Sequence, residues 1–321
     1  MARQTQEPPL GRRQLRIVCL GGGHGLHATL ESMRLITNDV TAIVCVGDDG
    51  GSSGRLRKEF PGLLPPGDIR MALSALASEP ARRRGVVGLL QHRFHSEGEL
   101  NGHSLGNLIL TAQWQRNHGS VLSSIRFVQR LLGIDGTVIP GAAVPLDLTA
   151  HVRGDDGTVS TVTSQRGIAH CWGTIIDFSI SPEDPPVFPE ALEAIANADV
   201  ITFGPGSWFT SLLVHLHVPK FREALQKSSA KKILLMDLVP DAETHGLRLQ
   251  QQFDLFRSTL GVPLDAVIAG PEKVDDEIDP GDSTVLLLRR LSVYGHPEVH
   301  DRVRLAAAVK DAIDEVMEDR E

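Results

Sequence analysis

The sequence predicts an α/β fold built on a mainly parallel sheet, and three observations carry that prediction. Short apolar runs rich in valine, isoleucine and leucine recur along the chain. They alternate with segments whose apolar residues repeat at helical spacing. Glycine-rich turns sit between several of those runs and the helices that follow, the punctuation of βαβ units.

The elements follow in order. "LRIVCL" (Leu15–Leu20) reads as a buried strand, and the glycine cluster Gly21–Gly25 then opens a helical pattern reaching about Leu35. "VTAIVCV" is a second strand, so strand, turn, helix and strand fit within roughly 30 residues, the size of one βαβ unit. From Asp68 to Leu132 the chain reads as helical, with Asp68 and Ser104 as expected N-caps and an apolar face at Val121, Leu122, Ile125, Val128, Leu131 and Leu132. From about Thr137 to Ile180 alternation takes over, "LDLTAHV", "GDDG" and "TVSTVTS", which predicts a small antiparallel β insert at about 137–180. Alternation of helix and strand then resumes through "DVITF", "KKILLMDL", "LDAVIAG" and "STVLLLRR". Apolar residues at Val299, Val303, Ala306, Val309, Ile313 and Val316 predict a closing amphipathic helix. The expectation is one domain over 14–321 behind a disordered leader, 1–13.

Composition narrows the function. The 321 residues are 41% hydrophobic and 22% charged, ordinary for a globular chain. A formal charge of −8 argues against a general nucleic-acid binder, though not against one nucleotide held by backbone amides. No run is long enough to span a bilayer, and the first residues lack the apolar core of a signal peptide, so membrane insertion is not expected and a cytoplasmic location is. Cys19, Cys45 and Cys171 lack paired spacing and are expected to be reduced and buried.

The residues that carry chemistry lie in the turns. In "GGGHGLHA", Gly22, Gly23 and Gly25 let backbone amides approach phosphate oxygens at a helix N-terminus. In "GDDGGSSGRLRKEF", Asp48 and Asp49 end a strand, where acids bind a ribose hydroxyl or hold Mg²⁺. Ser52 and Ser53 lie in a side-chain-poor run, Gly50–Gly54, that suits an anion-binding nest, and Arg55, Arg57 and Lys58 offer positive charge. "PPGDIR" adds Asp68 as cap or ligand. "GPGSWFTS" adds the Gly206 and Ser207 amides, with the Thr210 and Ser211 hydroxyls, for a second anionic group. "NGHSLGNLIL" adds His103 and Asn107. His92 and His95 lie near His103, but that spacing is common, and a hydrogen bond from His103 to a ligand or loop is expected rather than zinc.

Taken in order, "GGGHGL", "VGDDGGSSGRLRKEF", "PPGDIRMALSAL", "GHSLGNLIL" and "GPGSWFTSL" resemble the YvcK/CofD-like family, and its YvcK-like branch of gluconeogenesis factors more than its 2-phospho-L-lactate transferase branch. The similarity runs from about Leu15 to Ala269. It implies a Rossmann-like fold with a ligand crevice at the carboxyl ends of the parallel strands. It further implies binding of UDP-sugars such as UDP-N-acetylglucosamine, phosphate contacts at Gly22, Gly23, Gly25, Gly206 and Ser207, and polar or metal contacts at Asp48, Asp49, Asp68 and Asn107. Three departures stand out: His24 where the family has Thr, "ETHGL" (Glu243–Leu247) for "ETDGY", and "VHD" (Val299–Asp301) for "RHD".

Two functions follow as expectations. The first is a nucleotide-sugar-binding regulator linked to gluconeogenic growth, cell shape and cell-wall synthesis, acting through protein partners, with a homodimer suggested by the helical middle segment. The second is a Mg²⁺-dependent transferase moving a phospholactyl group from a nucleoside diphosphate carrier to the deazaflavin Fo. The chain's 4% aromatic content offers that flat substrate little stacking surface. A nicotinamide dehydrogenase fits only the formal glycine fingerprint.

Overall fold

A computed structural model describes residues 14–271, 278–281 and 283–318. The expected leader, 1–13, lies outside the described residues. Seven strands form the main sheet: β1 (Ile17–Gly21), β2 (Val40–Val44), β3 (Thr137–Pro140), β7 (Val200–Phe203), β8 (Lys231–Leu235), β9 (Ala266–Ala269) and β10 (Val285–Leu288). Their order is β10-β9-β8-β7-β1-β2-β3, and every pairing is parallel. Counting only these strands, the order reverses beside the first, which is the Rossmann winding. β1, β7 and β9 are buried throughout, as a parallel sheet covered on both faces requires.

Two helical layers provide the cover. The helix α1 (Gly23–Met33) packs with Pro66–Ala75 and the closing helix Arg302–Glu318, while Pro189–Asn197, Pro219–Lys227 and Leu249–Leu260 form another packed group. The closing helix buries Leu305, Val309, Ala312, Ile313 and Val316. It begins later than the apolar spacing suggested, because Val299 belongs to a short strand, β12 (His296–His300), paired antiparallel with β11 (Ser292–Val293).

The β insert is real but shorter than expected. β4 (Asp147–Arg153), β5 (Val159–Thr163) and β6 (Thr174–Ser181) make a three-stranded antiparallel sheet. Thr137–Pro140 instead joins the main sheet as its edge, paired parallel with β2. Three of its four residues are buried, a pattern that alternation cannot distinguish over so short a run. Cys19 and Cys45 are buried and free, whereas Cys171 is free but only half-buried. Among the described residues, no helix is long and apolar enough to cross a membrane.

Candidate functional site

In open α/β sheets ligands bind where the strand order reverses, outside the carboxyl ends. Here that place lies between β1 and β7, and each strand ends there in a glycine turn. The two turns interlock. A Cβ on Gly25 would stand 2.1 Å from the Pro205 carbonyl oxygen and 2.9 Å from the Gly206 nitrogen. Gly206 has φ +145°, a conformation open to glycine, and its N–H donates to Asp237 Oδ1 at 2.9 Å. Gly22 is the N-cap of α1 and brings no side-chain cap, so the first-turn amides depend on other partners.

One such partner is Asp68. It is not the helix cap expected of it: Pro65 occupies that position, and Asp68 sits in the first turn of Pro66–Ala75. Its carboxylate accepts from the Gly23 amide instead. Asp68 Oδ2 is sealed from solvent without a hydrogen-bond partner, 2.7 Å from where a Gly22 Cβ would stand. Burial, then the nearby Asp48 charge, pushes this carboxyl up to about 7.

Asp48 and Asp49 part company. Asp48 turns toward the site: its Oδ2 lies 2.7 Å from the Cβ position of Gly67, and its Oδ1 accepts the Gly50 amide at 2.9 Å. Asp49 Oδ1 accepts the Arg166 amide at 3.1 Å, reaching toward the insert. Nor is Gly50–Gly54 an open loop; from Gly51 it winds into a helix, Gly51–Glu59, with Ser52 and Ser53 buried. Ser53 Oγ accepts the Gly67 amide at 3.0 Å. Ser52 Oγ shares a 2.9 Å hydrogen bond with His103 Nδ1 and accepts from Asn107 Nδ2 at 3.0 Å. Asn107 is 1% exposed, and its Oδ1 has no partner. Ser104 caps the helix Leu105–Arg116, as expected.

Both arginines of the basic run after the small residues are occupied by their own chain. Arg55 donates to the Glu99 and Asn101 carbonyls, and Arg57 to the Asp48 carbonyl and to Asp147. The cation at the site is one that sequence reasoning missed, Arg70. It is 4% exposed, yet its Nε and Nη1 lack hydrogen-bond partners. Burial and the neighbouring Arg93 pull it down to about 10, against the opposing charges of Asp68 and Asp48. His24 on α1 also feels Arg70 and Arg93, after burial and His27, and is lowered.

Sequence reasoning also missed the role of Glu243. Ser207 precedes a π-helical turn, Trp208–Leu213, without capping it by its side chain. Glu243 does so: its Oε2 accepts the Phe209 and Thr210 amides at 2.8 and 3.0 Å, and its Oε1 accepts the Thr210 hydroxyl at 2.5 Å. Burial pushes Glu243 up to about 7 despite these bonds. Thr210 is thereby spent on the protein, while Ser211 Oγ remains against Gly22, 3.2 Å from its Cβ position.

A cavity of about 430 Å³ opens beside the interlocked turns. His24, Gly25, Gly206 and Asp237 line it, together with Leu238, Val239, Val299, His300 and Arg302. Two of the three departures, His24 and Val299, therefore line one cavity. The third, His245, lies outward beside Asp155 and the exposed Trp172.

A divalent cation fits part of this arrangement. Asp48 and Asp68 interact electrostatically, and the orphaned Asp68 Oδ2 is an oxygen that a hard cation would take. Among the described residues no three His, Cys, Asp or Glu side chains cluster as a metal cage. The donor set suits Mg²⁺ shared with phosphate oxygens rather than held by protein alone.

Comparison with known proteins agrees with the fold. The family model for 2-phospho-L-lactate transferase CofD matches residues 17–285. A protein of Mycobacterium tuberculosis (strain ATCC 25618 / H37Rv) is 40% identical over 289 residues, 88% of this chain and 82% of its own. The Gluconeogenesis factor of Bacillus subtilis (strain 168) is 37% identical over 266 residues, 82% of this chain and 81% of its own. A crystal structure of a UPF0052 family member from Bacillus halodurans superposes with a TM-score of 0.80 at 32% identity, covering 94% of this chain and 100% of that one.

Proposed function

The chain belongs to the CofD family, and from that premise we propose that it is a nucleotide-sugar-binding regulator of the YvcK type, with a UDP-sugar such as UDP-N-acetylglucosamine as its ligand. The observation that carries this reading is the interlock of Gly25 with Pro205 and Gly206 at the reversal of strand order. It brings two side-chain-poor turns and the N-terminus of α1 to one place, the arrangement that suits a diphosphate. The adjoining cavity would take the nucleoside or sugar, with Leu238, Val239 and Val299 as its apolar wall and Glu31, Asp237, Glu298 and Arg302 as its charged groups.

Asp48 and Asp68 would hold Mg²⁺ together with the ligand's phosphate oxygens. The ion would neutralise diphosphate charge that the protein's own cations, apart from Arg70 and Arg93, leave uncovered. Ser52, His103 and Asn107 position Asp48's neighbours by joining the helices Gly51–Glu59 and Leu105–Arg116. A regulatory role in gluconeogenic growth, cell shape and wall synthesis, exercised in the cytoplasm through a protein partner, completes the reading.

The family also includes phospholactyl transfer, and the same diphosphate grip would serve it. The lining of the described cavity favours the regulator, since it contains no Phe, Tyr or Trp to stack a deazaflavin. Titration calorimetry with UDP-N-acetylglucosamine, GDP, NAD and Fo, with and without Mg²⁺, tests the proposal. Saturable UDP-N-acetylglucosamine binding with the ligand recovered unchanged supports it. Binding of GDP with turnover of Fo and a phospholactyl donor would replace it with the transferase.

A further inference from the structure

The helices Leu105–Arg116 and Val121–Leu132, joined by a short turn, flank a groove of about 370 Å³. It shares no lining residue with the cavity beside the glycine turns. Gln113, Arg116 and Asn117 line it from the end of the first helix, and Arg126, Phe127 and Arg130 from the second. Residues three and four apart share a helix face, so each trio stands together. Every charged group in the lining is an arginine, in a chain whose formal charge is −8.

Little within the protein answers that charge. Arg116 and Arg130 lie in the last turns of their helices, where the dipole favours a cation but supplies no counter-ion. Among the described residues, neither has an ion-pair partner. Arg126 meets Glu190 at 3.4 Å, but the two side chains are 59% and 44% exposed, so that pair holds it weakly. Three like charges around one concavity repel one another until an anion enters.

The rest of the lining says which anion. Among the described residues, the side-chain amides of Gln113 and Asn117 have no hydrogen-bond partner, and each offers both donors and an acceptor. A peptide backbone answers both, whereas a phosphodiester backbone has acceptors only. Phe127, half-buried, gives the aliphatic stems of glutamates an apolar wall. Nucleic acid draws its affinity from many phosphate contacts, and three arginines on an acidic chain supply few.

We propose that this groove binds an acidic segment of a partner protein, its carboxylates paired with Arg116, Arg126 and Arg130. This supplies the partner chemistry that the regulator reading leaves open. A failed UDP-N-acetylglucosamine titration would leave it standing, because the two cavities have no residue in common.

The test is fluorescence anisotropy of labelled hexaglutamate and hexaglutamine at low ionic strength. The proteins are the wild type, the double variant Arg116→Gln/Arg130→Gln, and Arg153→Gln, an exposed control on the β insert. The wild type and the control are expected to bind hexaglutamate about tenfold more tightly than hexaglutamine, a preference that added salt weakens. The double variant, folded by circular dichroism, loses most of that preference. In the wild type, hexaglutamate should also shift the backbone amides of Gln113, Ser123 and Arg126, a reading that needs no variant. Equal binding of the two peptides, an undiminished preference in the folded double variant, or amide shifts confined to other places overturn the proposal. Labelled hexathymidylate bound as tightly as hexaglutamate gives the groove to nucleic acid, and a dimer lost in the double variant gives it to a second copy. Either result also overturns it.

Discussion

Asp68 Oδ2 lies 2.7 Å from the point a Cβ on Gly22 would occupy, so the acid of one motif and the glycine of another share one small space. That closeness explains why neither residue type can be exchanged freely. Gly22→Ala is expected to push the Asp68 carboxylate aside and weaken UDP-N-acetylglucosamine binding by about tenfold or more, with the overpacking costing about 1–3 kcal/mol of stability. Calorimetry and urea unfolding read the two effects separately.

Gly25→Ala should act mainly on folding. Its Cβ would meet backbone, the Pro205 carbonyl oxygen at 2.1 Å, and backbone cannot swing away as a side chain can. The expected loss is at the upper end of the same range, about 3 kcal/mol, visible as a lowered urea midpoint with an unchanged slope.

The raised carboxyl of Asp68 makes stability depend on pH. Its folded pKa, about 7, lies above the ordinary aspartate value of 3.8, so between those values the folded chain holds a proton that the unfolded chain has released. Its contribution to stability is therefore full below about pH 3.8 and is lost as pH rises through about 7. Asp68→Asn, which cannot titrate, should flatten that fall. The measurement is the difference in melting temperature between wild type and Asp68→Asn from pH 5 to 8, without Mg²⁺: the variant gains relative to the wild type as pH rises. A constant difference would contradict the raised pKa.

Glu243 holds two amides and a hydroxyl at the head of the π-helical turn. Glu243→Ala strands those donors in a buried place, and a loss of about 2–4 kcal/mol is expected. Glu243→Gln, which still accepts through its amide oxygen, should lose less. Thermal unfolding of the two variants checks the order.

Much of the fold was legible because it depends on local chemistry. Buried parallel strands read as apolar runs, and the turns at Gly22–Gly25 and Gly204–Ser207 read as glycine positions whatever the distant packing. Thr137–Pro140 was misread because four residues are too few to separate an edge of the main sheet from the insert beside it. Asp48 and Asp49 looked like one pair in sequence, yet adjacent residues of an extended chain point to opposite sides, and only Asp48 turns inward. Asp68 satisfied the pattern of a cap but sits past the cap position, where it meets Gly23 from another helix. Arg70 was invisible for a different reason: an arginine within a helix reads as a solvated face, and its burial depends on Gly106, which is 36 residues away.

The central claim is that the glycine turns at Gly22, Gly23, Gly25 and Gly206 come together around the phosphates of one ligand. The most direct test is the amide ¹H–¹⁵N spectrum of the perdeuterated, assigned protein, titrated with UDP-N-acetylglucosamine and Mg²⁺. The four glycine amides should shift together along one saturation curve, while a separate groove lined by Gln113, Arg116, Arg126 and Arg130 stays unmoved. Saturable shifts confined to that groove, with the glycine amides unchanged, would contradict the claim.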